Sequence, residues 1–370
     1  MLFCITINCF YYTPNAVTLR EFDEKNLAEA YKPLNSNETA KETMWPQDIK
    51  NGLYLVPSGQ SIGIKLKSDG LMVVGYHLVQ TQDGEVSPAD KTIRLGDNIL
   101  TINDEEIKEI NDVDRITNKF GPENKPLKIT YMRDDKKFEC SITPAYNITT
   151  KSYQLGIYVR NIASGIGTLT FYEPTHGVYG ALGHAIADVD TNKLVTVGEG
   201  RIFQSKITSI EKGESGDPGE KKGFFIQEGK LVGDIWKNTS AGIFGQMHNL
   251  PKPMASNNRA LPVGLAAEIT EGDAQIMTVV AGDRVELFDI KIEEISLTKA
   301  KTKGLVIKVT DPRLLSKTGG IVQGMSGSPI IQNNKLIGAV THVLVNDPTS
   351  GYGIFIESML KEAGLPTGSK

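Results

Sequence analysis

Short apolar runs with a period of two, each closed by glycine, proline, asparagine or aspartate, dominate this chain. From about residue 150 onward they follow one another closely, as in LGIYVR, GTLTFY, RIFQSKI and KLVGDI. Strict alternation indicates half-buried β-strands, and closely spaced turns favour a sandwich or a barrel. Periodic stretches long enough for helices are scarce. The chain is therefore predicted to be mainly β.

Length, charge and cysteine content exclude several classes of protein. The chain has 370 residues, more than one typical domain of about 100 to 200 residues. Its net charge is -4 and it has no dense run of Lys or Arg, so nucleic acid is not expected as a partner. The 3 cysteines occur in no metal-binding or disulfide-framework spacing, which predicts no metal site. No cofactor is expected.

The first 50 residues have a different composition. Residues 1–12, MLFCITINCFYY, are apolar but shorter than the roughly 20 residues that cross a bilayer. They are interpreted as the end of a signal anchor that begins before this chain, or alternatively as an apolar end packed on the protein. Residues 13–50 are polar and contain several prolines, which is typical of a linker. The segment 1–50 is therefore predicted to be a remnant membrane anchor and linker.

The segment 51–146 is predicted to be a small strand-rich domain with one helix. The stretch SIGIKLKSDGLMVV alternates and breaks at residues 68–70, a pattern typical of a β-hairpin. A helix is predicted farther on, with Asn111 as its cap and Val113 and Ile116 on its apolar face.

Two stretches of this segment resemble PDZ domains. Ile62, Gly63 and Ile64 resemble the carboxylate-binding edge of that family, and GDNILTIN resembles its Gly-Asp signature. PDZ domains bind a peptide as an extra strand on an exposed sheet edge. The resemblance implies that Ile62, Gly63 and Ile64 bind peptide.

The segment 150–370 contains a serine in a setting suited to a nucleophile. Ser326 lies in GIVQGMSGSPII, where glycines permit a sharp turn that holds a hydroxyl out. An ordinary Gly/Ser/Pro turn is the alternative. A serine hydroxyl needs a base to take its proton. The glycine-rich surroundings of His184, in YGALGHAIAD, favour it as the base. The other histidines of the segment are His176, His248 and His342.

A catalytic histidine also needs a group that fixes its tautomer and stabilises its charged form. Asp311, in KVTDPRLL, follows an alternating run and lies upstream of Ser326. Sequence proximity does not choose among the carboxylates, because catalytic partners meet in space. The alternatives are Asp188, Asp190, Asp234 and Asp347.

Three separated motifs together resemble the SpoIVB-type serine peptidases of endospore-forming bacteria, the family of stage IV sporulation protein B. They are GALGHAIADVD, VTDPRLL and TGGIVQGMSGSPI, preceded here by the PDZ-like segment. The resemblance covers about residues 53–365. It implies a chymotrypsin-like double β-barrel over 150–370, with the catalytic residues His184, Asp311 and Ser326. It also implies that the backbone N–H groups of Gly324 and Ser326 form the oxyanion hole.

The resemblance further implies a biological role. Such peptidases are exported across the inner forespore membrane to the intermembrane space and stay membrane-anchored until they cut themselves. They then cleave a membrane-bound regulator of an intramembrane protease, which leads to activation of a late sporulation sigma factor. Two alternatives stay open: a PDZ-containing peptide-binding protein without activity, and a quality-control protease without sporulation signalling.

Overall fold

The computed structural model describes residues 53–225, 231–251, 260–298 and 302–367. The predicted anchor and linker at 1–50 lie outside these ranges. Within them, no helix is both long enough and apolar enough to cross a membrane.

The described residues form many strands and few helices, and this confirms the predicted mainly β class. The strands are β1 Tyr54–Pro57, β2 Ser61–Tyr76, β3 Val79–Thr81, β4 Gly84–Val86, β5 Asn98–Ile102, β6 Glu105–Glu106, β7 Leu127–Arg133, β8 Lys136–Ile142, β9 Ala145–Asn147, β10 Ser152–Gln154, β11 Ile157–Glu173, β12 Val178–Ala181, β13 Glu199–Glu211, β14 Glu220–Phe225, β15 Leu231–Asp234, β16 Lys237–Thr239, β17 Gly242–Gln246, β18 Leu261–Pro262, β19 Gly272–Val279, β20 Val285–Ile295, β21 Leu305–Val309, β22 Pro329–Gln332, β23 Lys335–Leu344 and β24 Asp347–Phe355. The α-helices are α1 Ile110–Phe120, α2 Pro312–Thr318 and α3 Ile356–Ala363.

The chain divides into two compact units that are interleaved along the sequence. The barrel unit contains the described residues up to Ile64 together with 164–186 and the described residues from 201 onward. The smaller unit contains 65–163 and 187–200. Strands β2, β11 and β13 each belong in part to both units. This division differs from the predicted succession of 51–146 and 150–370.

The C-terminal half of the barrel unit is a closed six-stranded barrel in the order β19-β20-β21-β24-β23-β22. Its strands alternate as the sequence indicates. In β20, Phe288, Ile290 and Ile292 are buried, while the residues between them are exposed. They join one apolar core with residues of β21, β22 and β23. Helix α2 leads from β21 to the loop that carries Ser326.

The first half of the barrel unit is a sheet in the order β16-β17-β12-β11, in which β1 also pairs with β11. Strands β14 and β15 pair with β13. The barrel unit therefore contains one closed barrel and a half-barrel.

The smaller unit is built on the antiparallel strands β2, β5, β7 and β8, with α1 over them. Helix α1 buries Val113 and Ile116 as predicted. Its N-cap is Glu109, which forms a capping box with Asp112, so the predicted cap at Asn111 is wrong by two residues. The predicted hairpin break at 68–70 is also wrong, because β2 continues through it.

Candidate active site

The Ser326 loop is fixed by strand β11 through three hydrogen bonds. The amide of Thr168 donates to the carbonyl oxygen of Ser326 over 3.0 Å. The Thr168 hydroxyl donates to the carbonyl of Gly324, and the Thr170 hydroxyl to that of Gly327, each over 2.8 Å. Alternation along β11 points both threonines toward the loop. The first half of the barrel unit thus supports a loop that belongs to the second half.

Two glycines give this loop its backbone shape. Gly324 has φ +89° and Gly327 has φ +93°, both in a region that residues with a Cβ rarely adopt. A Cβ on Gly327 would lie 2.1 Å from the carbonyl oxygen of Thr168. Within the part of the chain that the structure describes, the amides of Gly324 and Ser326 donate to no acceptor. These two N–H groups are therefore available to a substrate oxyanion.

Ser326 is 4% exposed, and its hydroxyl has one hydrogen-bond partner among the described residues. The Oγ donates to the carbonyl oxygen of Thr341 in β23 over 2.8 Å. The neighbouring Ser328 is committed differently, since its Oγ donates to the carbonyl of Met325. The Ser326 hydroxyl is thus held against β23 by its own proton, and no described residue donates to its oxygen.

His184 follows β12 and is 6% exposed. Its Nδ1 lies 2.8 Å from the carbonyl oxygen of Ala185. Because a carbonyl can only accept, Nδ1 carries the proton and Nε2 keeps its lone pair. Among the described residues, Nε2 has no hydrogen-bond partner although it is buried. Burial lowers the pKa of His184, against the opposing effect of the Ala185 carbonyl. The imidazole is therefore a neutral ring with the lone pair that a general base needs.

His184 and Ser326 approach consecutive residues of β23. Ser326 bonds the carbonyl of Thr341, and the ring of the next residue, His342, has its centroid 5.1 Å from that of His184. A Cβ on Gly183 would lie 3.0 Å from Thr341 Cγ2. The structure thus brings these two predicted residues to one strand. The sequence singled out neither residue of β23, because only the fold shows that this strand runs beside both.

The predicted third member, Asp311, has hydrogen-bond partners other than His184 among the described residues. Asp311 is the N-cap of α2, and its Oδ1 accepts from the amide of Arg313 over 2.8 Å. Its Oδ2 accepts from Arg313 Nη2 over 2.8 Å and from the amide of Asp289 over 3.3 Å. Hydrogen bonds from Arg313 hold the pKa of Asp311 at about 2. The hydrogen-bond partner of His184 Nδ1 is instead the Ala185 carbonyl.

The alternative carboxylates also have partners of their own. Asp188 and Asp190 bind Arg160. Asp234 accepts from the amide of Gln246 and lies 3.3 Å from His248 Nε2. Asp347 accepts from Thr349 and Ser350. Among the described residues, His184 has no carboxylate hydrogen-bond partner. No group of three or more His, Cys, Asp or Glu side chains within these residues is placed to hold a metal ion.

The predicted peptide-binding residues Ile62, Gly63 and Ile64 are buried in the structure. Ile62 and Ile64 are fully buried, and both belong to the barrel unit. A Cβ on Gly63 would lie 2.2 Å from the ring of Phe225. Close packing against β14, and not an approaching ligand, explains the glycine. Ile62 and Ile64 thus contribute to the interior of the barrel unit, and Gly63 packs against Phe225.

Comparison with protein families settles the relationship. The family model of the SpoIVB peptidase S55 matches residues 151–360, more than half of the chain. The chain belongs to this family. It is a serine peptidase, and the match includes His184, Asp311 and Ser326. No curated protein matches the chain significantly.

Solved structures show more distant similarities. The PDZ domain of an SdrC-like protein from Listeria monocytogenes is 21% identical with a TM-score of 0.21, over 25% of this chain and 87% of that one. The active form of the Rv3671c protease from M. tuberculosis is 15% identical with a TM-score of 0.30, over 56% of this chain and 76% of that one. Its inactive form is 16% identical with a TM-score of 0.29, over 54% and 84%.

Proposed function

We propose that this S55 peptidase is a sporulation endopeptidase that cuts itself and then a membrane-associated regulator, with Ser326 as nucleophile and His184 as general base. The observation that carries the catalytic assignment is the approach of both side chains to Thr341 and His342 of β23, beside two unpaired backbone amides.

The first chemical step activates the Ser326 hydroxyl. The Ser326 hydroxyl turns from the Thr341 carbonyl toward Nε2 of His184, which has a free lone pair. As Oγ bonds to the scissile carbonyl carbon, the Oγ proton moves to Nε2. Catalytic hydrogen bonds often tighten only when substrate is present. Nδ1 keeps its own proton on the Ala185 carbonyl throughout, so Nε2 is the only basic nitrogen of the ring.

The same backbone supplies the remaining steps. The amides of Gly324 and Ser326 donate to the oxyanion, a contribution of about 3–4 kcal/mol for one donor in comparable sites. The proton on Nε2 then passes to the leaving amine, which breaks the C–N bond. Water attacks the acyl-enzyme with His184 again as base, and the Ser326 hydroxyl is restored.

The proposed substrates and location follow from family membership. They are the chain itself and a membrane-bound regulator of an intramembrane protease, reached after export across the inner forespore membrane. The smaller unit, with its PDZ-like sequence, is proposed to select these proteins. Because residues 62–64 are buried in the barrel unit, we expect selection to use a surface of the smaller unit itself.

Self-cleavage is tested by mixing two forms of the protein. The Ser326→Ala variant cannot cut itself, so we expect it to remain intact alone and to be shortened when wild-type protein is added. The His184→Ala variant serves as the matched second enzyme and should not shorten it. A Ser326→Ala protein that shortens itself, or that wild-type protein never cuts, contradicts self-processing.

The regulator is sought by comparing membrane proteins of sporulating cells that carry wild-type Ser326 or Ser326→Ala. An identical set of fragments contradicts the proposed role.

A further inference from the structure

Position 342 is occupied by a histidine where the fold brings β23 against the catalytic base. The rings of His342 and His184 are tilted by 40° with centroids 5.1 Å apart, which is direct contact between two imidazoles. The residue before it holds the Ser326 hydroxyl. His342 therefore touches the base, and its own backbone neighbour touches the nucleophile.

The protonation of His342 can be derived from its surroundings. Its ring is partly exposed, and Nδ1 is its buried nitrogen without a hydrogen-bond partner among the described residues. A neutral imidazole carries its proton where a partner or water can accept it, so Nδ1 presents the lone pair. Burial first, then the charges of His184 and Lys303, lower the pKa of His342 to about 3. At neutral pH the ring is therefore uncharged.

An acceptor beside His184 has a function only when His184 is charged. In the resting site the Nε2 of His184 and the Nδ1 of His342 each present a lone pair, and neither accepts a hydrogen bond from any residue that the structure describes. Buried unpartnered polar atoms are costly and concentrate at functional sites. When Nε2 takes the Ser326 proton, the ring becomes an imidazolium in a buried environment. A neighbouring lone pair then stabilises it.

We propose that His342 is a positioning residue of the catalytic site: its ring orients His184, and its unprotonated Nδ1 stabilises the imidazolium that forms during acyl transfer. The proposal rests on the proposed roles of Ser326 and His184. His342 exchanges no proton in this step. It supplies the stabilisation that Asp311, paired with Arg313, does not supply.

Tyr352 and Lys303 are two further groups beside His342. Tyr352 is its cross-strand neighbour in β24. The Lys303 ammonium lies over the Tyr352 ring, 4.9 Å from its centroid. Lys303→Met is therefore the control for the local charge. His176→Phe is the control for loss of a histidine elsewhere in the barrel unit, since its side chain is 66% exposed beside Glu173.

The test is the rate at which a fluorophosphonate probe modifies Ser326 between pH 5 and pH 9. In this reaction Oγ bonds to phosphorus, fluoride leaves, and His184 accepts the proton. His342→Phe keeps a ring but removes the lone pair, and we expect about 10- to 100-fold slower modification, the effect of losing a hydrogen bond to a charged group. The rising limb of the pH–rate profile should also move to lower pH, because a less stable imidazolium loses its proton at a lower pH. His342→Asn places an oxygen near the Nδ1 position and should restore much of the rate.

Each result decides for or against the proposal. It is overturned if His342→Phe reacts as fast as wild type and the rising limb of its pH–rate profile lies at the same pH. It is also overturned if the Phe and Asn variants react equally slowly, have a lowered Tm and keep the wild-type pH dependence of the rate. That result indicates an effect of packing alone. Wild-type protein that takes no label at Ser326 refutes the proposed function itself, and with it this inference. A shift of the limb in Lys303→Met as large as in His342→Phe assigns the effect to charge and contradicts a role of Nδ1.

Discussion

Asp311→Asn separates a structural carboxylate from a catalytic one. Both Asp311 oxygens bind Arg313, and the lowering of its pKa from 3.8 to about 2 corresponds to about 2 kcal/mol. Asn keeps an oxygen for the helix cap, and solvent screens the exposed Arg313 side chain. We therefore expect a loss of about 1–2 kcal/mol in the free energy of unfolding.

The pH dependence of this loss has a definite sign. A carboxyl whose pKa is lower in the folded state stabilises the fold above its unfolded pKa and stops doing so as pH falls through the folded value. The difference between wild type and Asp311→Asn should thus be full at pH 5 and above. It should shrink as the pH falls from about 4 to about 2, over the part of this range in which the protein is still folded.

Two measurements on the same protein give the answer. Thermal unfolding should show a Tm lower by about 2–6 °C, while modification of Ser326 by a fluorophosphonate should stay within a few-fold of wild type. Arg313→Met should lower the Tm similarly, and the double variant should lose less than the sum. An unchanged Tm with modification about 10⁴-fold slower, as when the acid of a triad becomes Asn, refutes this reasoning.

Three further substitutions test how the site is supported. Lys221 is buried, its Nζ bonds the Thr278 hydroxyl over 2.7 Å, and burial lowers its pKa to about 7. Since the unfolded chain keeps that proton up to about pH 10, wild-type stability should rise between pH 7 and pH 10. Lys221→Met should be more stable at pH 7 and should lack this rise. If thermal unfolding shows the same dependence of Tm on pH in both proteins, the assignment is contradicted. Gly327→Ala should lower Tm and abolish labelling of Ser326. Gly216→Ala is the control, because Gly216 has a similar φ of +92° but no atom within 4 Å of the added Cβ, and it should keep labelling. Equal labelling of both variants contradicts the close approach at Gly327. Thr170→Val should cost about 1–3 kcal/mol in unfolding by denaturant, because it leaves the Gly327 carbonyl buried without its donor; an unchanged midpoint refutes that bond.

The sequence carries strong local signals for the nucleophile loop and weak ones for its partners. Ser326 could be predicted because glycines with positive φ must flank so sharp a turn. The signal for Asp311 is ambiguous, because an aspartate after a strand and before a proline describes a helix cap as well as a catalytic acid. The Asp-Pro-Arg order was the available signal for a cap. His342 had no comparable signal, since its contact with His184 depends on long-range strand pairing.

Strand β2 shows a second limit of local patterns. The Ser-Asp-Gly sequence at 68–70 is typical of a turn, yet the strand continues through Gly70 with φ +79°. A Cβ there would lie 2.3 Å from the carbonyl oxygen of Ile99. The glycine is therefore required by the close approach of β5, a non-local contact. For the same reason Gly63 could be mistaken for part of a ligand-binding edge.

The most direct test of the account is to map the fluorophosphonate adduct by peptide mass and to measure its rate of formation in wild type and His184→Ala. We expect the adduct on Ser326 alone, and a rate at least about 10²-fold lower without the imidazole base. An adduct on Ser328, or modification of Ser326 at the wild-type rate in folded His184→Ala, contradicts the central claim that His184 activates Ser326.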